Sequence, residues 1–242
     1  MENFLLSQVD KLWLEDIKKA IELVKETYST EQVNHSIRTA NILVNKNLKK
    51  HTILAALLQT GFFEKYLTLE NIELDFGEET SLLVKECTRI KEVLQTNYKK
   101  VAPETLSALT LSIATDLRTI IILMADFSDS LQYPITKNNL SQIHIAKNIF
   151  YPLTVKLGIS DLGWKLSDHS FKLENPNGYN KIKKFVNKTR EDREKLIEET
   201  KNEIEHLLKN KVKAQVFGRP KNFLAIFEKN KKVPFKKMHD IY

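Results

Sequence analysis

A chain of 242 residues with 42% hydrophobic and 29% charged residues has room for one large domain, or one domain with part of another, and its composition excludes a disordered or fibrous protein. Six Gly and six Pro are too few for a turn-rich β fold and favour long helices. The net charge of +7 is unevenly placed: from Lys181 onward 18 Lys and Arg stand against 9 Asp and Glu, so a solvated helix face and a phosphate- or RNA-binding surface are both open readings of the last quarter.

One cysteine, Cys87, leaves no internal disulfide and suits a reducing cytoplasm. Met1 to Asp10 lacks the charged start and cleavage site of a signal peptide. The longest apolar run, Thr119 to Ala125, is too short to cross a bilayer, so no membrane partner is expected.

In chain order, Leu5 to Tyr28 reads as one amphipathic helix, with Val9, Leu12, Ile17, Ile21 and Val24 on its apolar stripe. Ser29 to Gln32 forms a capping box, Ser29 as N-cap and Gln32 three residues on. The helix after it turns Val33, Ile37, Ala40 and Leu43 inward. His35 lies near that apolar side, where a lone histidine is most often a satisfied core residue. Ile53 to Tyr66, ILAALLQTGFFEKY, begins as a buried helix, then meets Gln59 and Thr60. A buried polar pair needs partners, supplied by another helix or by a cavity.

Glu78 to Lys91 reads as a further helix and Leu94 to Ala102 as a loop. Pro103 opens a helix expected to run to about Leu131, since proline lacks the amide that a first turn leaves unpaired. Asp126 follows six apolar residues on it, Ile120 to Ala125, and needs a cation or several donors to stay ionised. Tyr133 to Asn139 is a turn-rich connector before a helix through Lys156. Asn177 to about Leu208 reads as one long charged helix, Lys211 to Phe217 alternates as a short strand, and a helix ends near Lys229.

Six landmarks in register resemble the RelA/SpoT homologues, the (p)ppGpp synthetase/hydrolases of the stringent response. Ala55-Ala56-Leu57-Leu58-Gln59-Thr60-Gly61-Phe62-Phe63-Glu64-Lys65 stands against a family run of roughly A-A-L-L-H-D-V-x-E-D-T. Thr68-Leu69-Glu70 and Phe76-Gly77 follow as the family's T-L-E and F-G do. His35 to Leu43 resembles H-P-x-x-V-A-x-I-L, and Asp116 to Asp126 resembles D-x-R-x-x-x-x-K-L-A-D. Phe150 to Ile159 resembles Y-A-P-L-A-x-R-L-G-I, and Gly218 to Lys229 resembles G-R-x-K-x-x-x-S-I-x-x-K.

The resemblance implies a mainly α fold. Residues 1–158 would form an HD-type helical bundle, 159–210 a long helical bridge, and 211–242 the small α/β beginning of a synthetase domain, which the sequence leaves incomplete. It also implies that His35, Gln59, Thr60 and Asp126 converge where family hydrolases hold Mn with two His and two Asp. Gln59 and Thr60 replace the His-Asp pair, Phe63 replaces one acid of the pair serving the attacking water, and Glu64 is vestigial. No tightly bound cofactor is therefore expected, although the family uses Mn in its hydrolase and Mg in its synthetase. Arg219, Lys221 and Lys229 match residues that hold nucleotide phosphates there.

On this reading the chain belongs to cytoplasmic (p)ppGpp metabolism with an inactive, regulatory HD domain. Its partners would be a guanine nucleotide and a synthetase domain in cis or in trans, with ribosome or RNA contact open. Two alternatives stand beside it: a Mn-dependent (p)ppGpp 3′-pyrophosphohydrolase with altered ligands, and a nucleotide-binding or protein-interaction module from a split gene.

Overall fold

The computed structural model describes residues 1–133, 140–188, 190–209, 212 and 214–232. All regular structure among them is helical. The chain divides into two compact units, Met1–Ser170 and Phe171–Tyr242.

The first unit packs around α4 (Lys50–Phe63). Every residue of α4 from Thr52 to Gln59 is buried, which fits a helix apolar on all its faces. Around it stand α2 (Leu14–Thr27), α3 (Thr30–Val44), α5 (Leu69–Phe76), α6 (Glu78–Asn97) and α8 (Leu117–Gln132). A short α1 (Glu2–Gln8) lies on α3, and α7 (Pro103–Ile113) on α6. After the 134–139 connector, which lies outside the described residues, come α9 (Leu140–Ile145), a π-helical turn over Ala146–Phe150 and α10 (Tyr151–Lys156).

Two local devices fix the entry into α3 and the exit from α4. The Ser29 hydroxyl accepts the Gln32 amide N–H while the Gln32 side chain accepts that of Ser29. This is the capping box read from the sequence. Tyr28, one residue earlier, is buried with its hydroxyl on the end of α4. It accepts the Gly61 N–H at 2.6 Å and donates to the Leu58 carbonyl at 3.0 Å. A Cβ on Gly61 would sit 2.4 Å from that oxygen, so glycine is the residue this contact allows. Burial pushes the Tyr28 phenol well above its ordinary pKa, which keeps it a donor.

Several expected elements differ. The helix over Leu5 to Tyr28 is interrupted, because the Asp10 side chain accepts the Leu12 N–H and caps a 3-10 turn at Lys11–Trp13. The helix expected from Pro103 to Leu131 is two. Ala114 is extended, Asp116 caps α8 by accepting the Arg118 N–H, and Glu86 accepts the N–H groups of Thr115 and Asp116. The loop placed at Leu94 starts later, since α6 continues to Asn97 to keep Leu94 fully buried. The long charged helix breaks at Asn187, whose φ of 46° ends α12 (Pro176–Val186) in the left-handed region before α13 (Arg190–Leu208).

The strand expected over Lys211 to Phe217 is not formed among the described residues: Val212 and 214–217 carry no ladder. Alternation makes a strand only where a neighbouring strand can pair with it. The helix that follows does form, as α14 (Phe223–Lys232). Residues 233–242 lie outside the described residues.

The second unit has its own small core. Phe171, at the end of α11 (Ser160–Glu174), meets Ile182 and Val186 of α12 and Phe223, Leu224 and Ile226 of α14. Arg193 of α13 is buried: its Nη1 donates to the Lys221 carbonyl at 2.8 Å and its guanidinium lies 4.9 Å from the Phe223 ring centroid. The arginine thus ties the extended segment before α14 to α13.

Candidate functional site

Two carboxylates at an i, i+3 spacing, Asp126 and Asp129, share one face of α8 and are both buried. Carboxylates withdrawn from water need donors or counter-charges for each oxygen. Three neighbouring helices supply them.

From α3, His35 inserts between the two acids. Its Nδ1 lies 2.7 Å from Asp129 Oδ2 and its Nε2 lies 2.9 Å from Asp126 Oδ1. An imidazole with a carboxylate at each nitrogen must donate from both, which makes it an imidazolium. Burial alone would lower the His35 pKa, but the hydrogen bonds and charges of Asp126 and Asp129 outweigh it and raise the pKa to about 9. Arg38, one turn along α3, closes a fork on Asp129: Nε to Oδ1 at 2.7 Å and Nη2 to Oδ2 at 2.9 Å. Its guanidinium also stacks 4.3 Å from the centroid of the Tyr133 ring.

From α4, Gln59 donates its Nε2 to Asp126 Oδ1 at 3.2 Å. From α6, the Lys91 ammonium lies 3.1 Å from Asp126 Oδ2, with its side chain only 11% exposed, and 5.6 Å from the centroid of Phe63. Both Asp126 oxygens are thereby engaged. Burial by itself would raise the Asp126 carboxyl, but the Lys91 charge and the hydrogen bond and charge of His35 outweigh it. They hold Asp126 well below the usual carboxylate range.

The cluster opens on a cavity of about 150 Å³ lined by His35, Thr60, Phe63, Glu64, Lys91 and Asp126, among others. The structure thus brings His35 and Gln59 each into contact with Asp126 and lines the cavity with Thr60 and Glu64 beside His35 and Asp126. Arg219, Lys221 and Lys229 belong to the second unit. Arg219 and Lys221 are exposed on the segment before α14, and Lys229 is half-buried on α14.

Sequence reasoning missed Lys91, Arg38 and Asp129 as members of this cluster. The i, i+3 spacings of His35 with Arg38 and of Asp126 with Asp129 were a usable signal, since both pairs sit on apolar helix faces. Lys91 gave none: a lysine in a charged helix looks like surface until another helix covers it.

The donor set does not fit a divalent ion. A metal-binding histidine must present a bare ring nitrogen, whereas both His35 nitrogens donate to carboxylates. Gln59 turns an N–H, not a carbonyl, toward Asp126, and Lys91 already holds the other Asp126 oxygen. Among the described residues no three His, Cys, Asp or Glu side chains are arranged to hold a metal. Asp126 and Asp129 sit at different edges of one imidazole, not around a shared point.

The HD domain family profile matches residues 15–160, the span that carries this cluster. The chain belongs to the HD-domain family, and within it to the RelA/SpoT homologues. A guanosine-3′,5′-bis(diphosphate) 3′-pyrophosphohydrolase of Aquifex aeolicus is 28% identical over 244 residues, covering 94% of this chain and 34% of the relative. The enzyme of the same name from Spiroplasma citri is 28% identical over 246 residues, covering 96% and 33%. A GTP pyrophosphokinase rsh of Brucella melitensis is 26% identical over 215 residues, covering 86% and 29%. The chain spans about a third of the length of these relatives. No described helix is long and apolar enough to cross a membrane.

Proposed function

We propose that this chain serves (p)ppGpp metabolism as a RelA/SpoT-type protein whose HD domain does not hydrolyse the nucleotide but regulates a synthetase domain, in cis or in trans, in the cytoplasm. The observation that carries this reading is the orientation of Gln59. It stands where the family has a metal-binding histidine, and it turns an amide N–H to Asp126 Oδ1, so it meets the acid as a hydrogen-bond donor where a ligand would share a metal with it. Thr60 contributes a neutral hydroxyl in place of the second carboxylate, and Phe63 cannot relay a proton for an attacking water. In the second unit, exposed Arg219 and Lys221 leave two cationic heads free to meet phosphates. That supports the reading of residues 211–242 as a synthetase beginning and of Arg219, Lys221 and Lys229 as nucleotide contacts.

A second reading, a Mn-dependent hydrolase with altered ligands, draws on one observation: the Gln59 Oε1 atom is buried without a hydrogen-bond partner, a neutral oxygen that a cation could engage. The test is pyrophosphate release from ppGpp by the purified chain with Mn, beside a RelA/SpoT hydrolase as positive control. No release above the protein-free rate is expected. Turnover near that of the control would overturn the regulatory reading in favour of the second.

A further inference from the structure

We propose that Lys91 is the resident cation of this HD site: its ammonium occupies the charge-compensating place of the divalent ion and keeps metal out. This deepens the reading of the domain as non-hydrolytic and rests on it.

The argument starts from charge. A helix bundle that buries two carboxylates on one face must bury positive charge with them or leave them protonated. The Arg38 fork and the Nδ1 edge of His35 satisfy Asp129 on its side of the ring. Asp126 Oδ1 takes His35 Nε2 and Gln59. What remains is Asp126 Oδ2, on the acid that lines the cavity together with Thr60 and Phe63. The Lys91 Nζ meets it at 3.1 Å.

The setting suits an ammonium and not a hydrated dication. Phe63, in the position of a family acid, presents its ring to the Lys91 head at 5.6 Å, a contact that favours a monovalent organic cation. A lysine stem also fills space with methylenes that a metal would need for its waters. Lys91 comes from α6, so its charge additionally joins α6 to α8, and Asp126 links it in turn to His35 of α3.

A divalent ion approaching Asp126 Oδ2 therefore has to displace a buried ammonium and meet a like charge a few ångströms away. On this inference, restoring the family ligands alone does not restore the metal site. The Gln59→His/Thr60→Asp variant should bind Mn weakly, and adding Lys91→Met, which keeps the length and removes the charge, should tighten Mn binding at least about tenfold, in the range that supporting contacts exert on metal affinity.

The experiment is Mn binding to the full chain by electron paramagnetic resonance and calorimetry, with thermal unfolding by circular dichroism for each variant. Expected are no specific Mn binding by the unmodified chain, weak binding by the double variant and at least about tenfold tighter binding by the triple. A double variant that binds Mn as tightly as the triple would overturn the role of Lys91. Tight, site-specific Mn binding by the unmodified chain would also overturn it.

The single variants separate charge from packing. Lys91→Met should lower the unfolding midpoint, while Lys91→Arg, which keeps the cation, stays near the unmodified chain. If both substitutions damage the fold equally, or neither does, the ammonium is not the compensating charge and the proposal fails. These readouts involve no turnover. Loss of the Lys91 role would leave the ppGpp assay untouched, and hydrolysis by the unmodified chain would count against the regulatory reading whatever the lysine variants do.

Discussion

Each end of α8 carries an acid–base network that pairs aspartate with arginine, and the two networks lie in different surroundings. At its start, Asp116 caps the helix and grips Arg118, Arg118 reaches Glu79, and Glu86 accepts the hydroxyls of Thr115 and Thr119 and the amides of Thr115 and Asp116. That cluster is half-buried and in reach of solvent, with the Arg118 and Asp116 side chains each 34% exposed. Ten residues on, Asp126 and Asp129 face inward with side chains 7% and 2% exposed. Near water, a lost partner is replaced by solvent, and exposed ion pairs are worth little. In the interior nothing replaces it, so each charge obliges the next, from Asp129 through His35 to Asp126 and Lys91. An Asp in a helix therefore says little by itself. Whether it is a cap or the centre of a site depends on what covers it.

The largest break in that comparison should come from Asp126→Asn. It leaves Lys91 and His35 facing a neutral amide, and removing one member of a buried pair typically costs about 3–5 kcal/mol. Urea unfolding at pH 7 measures it, and a loss below about 1 kcal/mol would make the inner cluster behave like the outer one.

Next in size is a pH effect confined to the inner end. The His35 pKa is raised from 6.5 to about 9, so its contribution is fully present below about pH 6.5 and disappears as pH rises through 9. Stability should therefore fall by roughly 2–3 kcal/mol between pH 6 and pH 9.5. Asp129→Asn should flatten that fall, whereas Arg118→Ala should not. Asp126, depressed by Lys91 and His35 against its burial, acts at the other limit. Its contribution is present above the ordinary carboxylate range and is lost as the pH drops below it. Asp116, depressed first by its hydrogen bond from Arg118, has the same sign at the exposed end, with solvent screening its effect.

At the outer end, Asp116→Ala should cost about 1 kcal/mol, the usual price of a lost N-cap, read as a shift in the urea midpoint with unchanged slope. Arg118→Ala should cost the least, below about 1 kcal/mol, and its effect should shrink further in 1 M salt. A salt-insensitive loss as large as that of Asp126→Asn would erase the contrast between the two ends.

How much of this was legible beforehand follows the range of the interactions. The capping box at Ser29 and Gln32, the proline start of α7 and the apolar identity of α4 are contacts within a few residues, and the sequence alone determined them. The family spacing also anticipated that His35, Gln59, Thr60 and Asp126 meet. Other elements depended on what lay across from them. Glu86, thirty residues back, caps the break that splits α7 from α8, and among the described residues the alternating stretch up to Phe217 has no strand to pair with. Arg193 is an ordinary helix charge until Phe223 and the Lys221 carbonyl cover it. Lys91 is the sharpest case. Periodicity places it on a charged helix, and only the packing of α6 against α8 takes it out of water, because a charge is costly or cheap according to the dielectric around it.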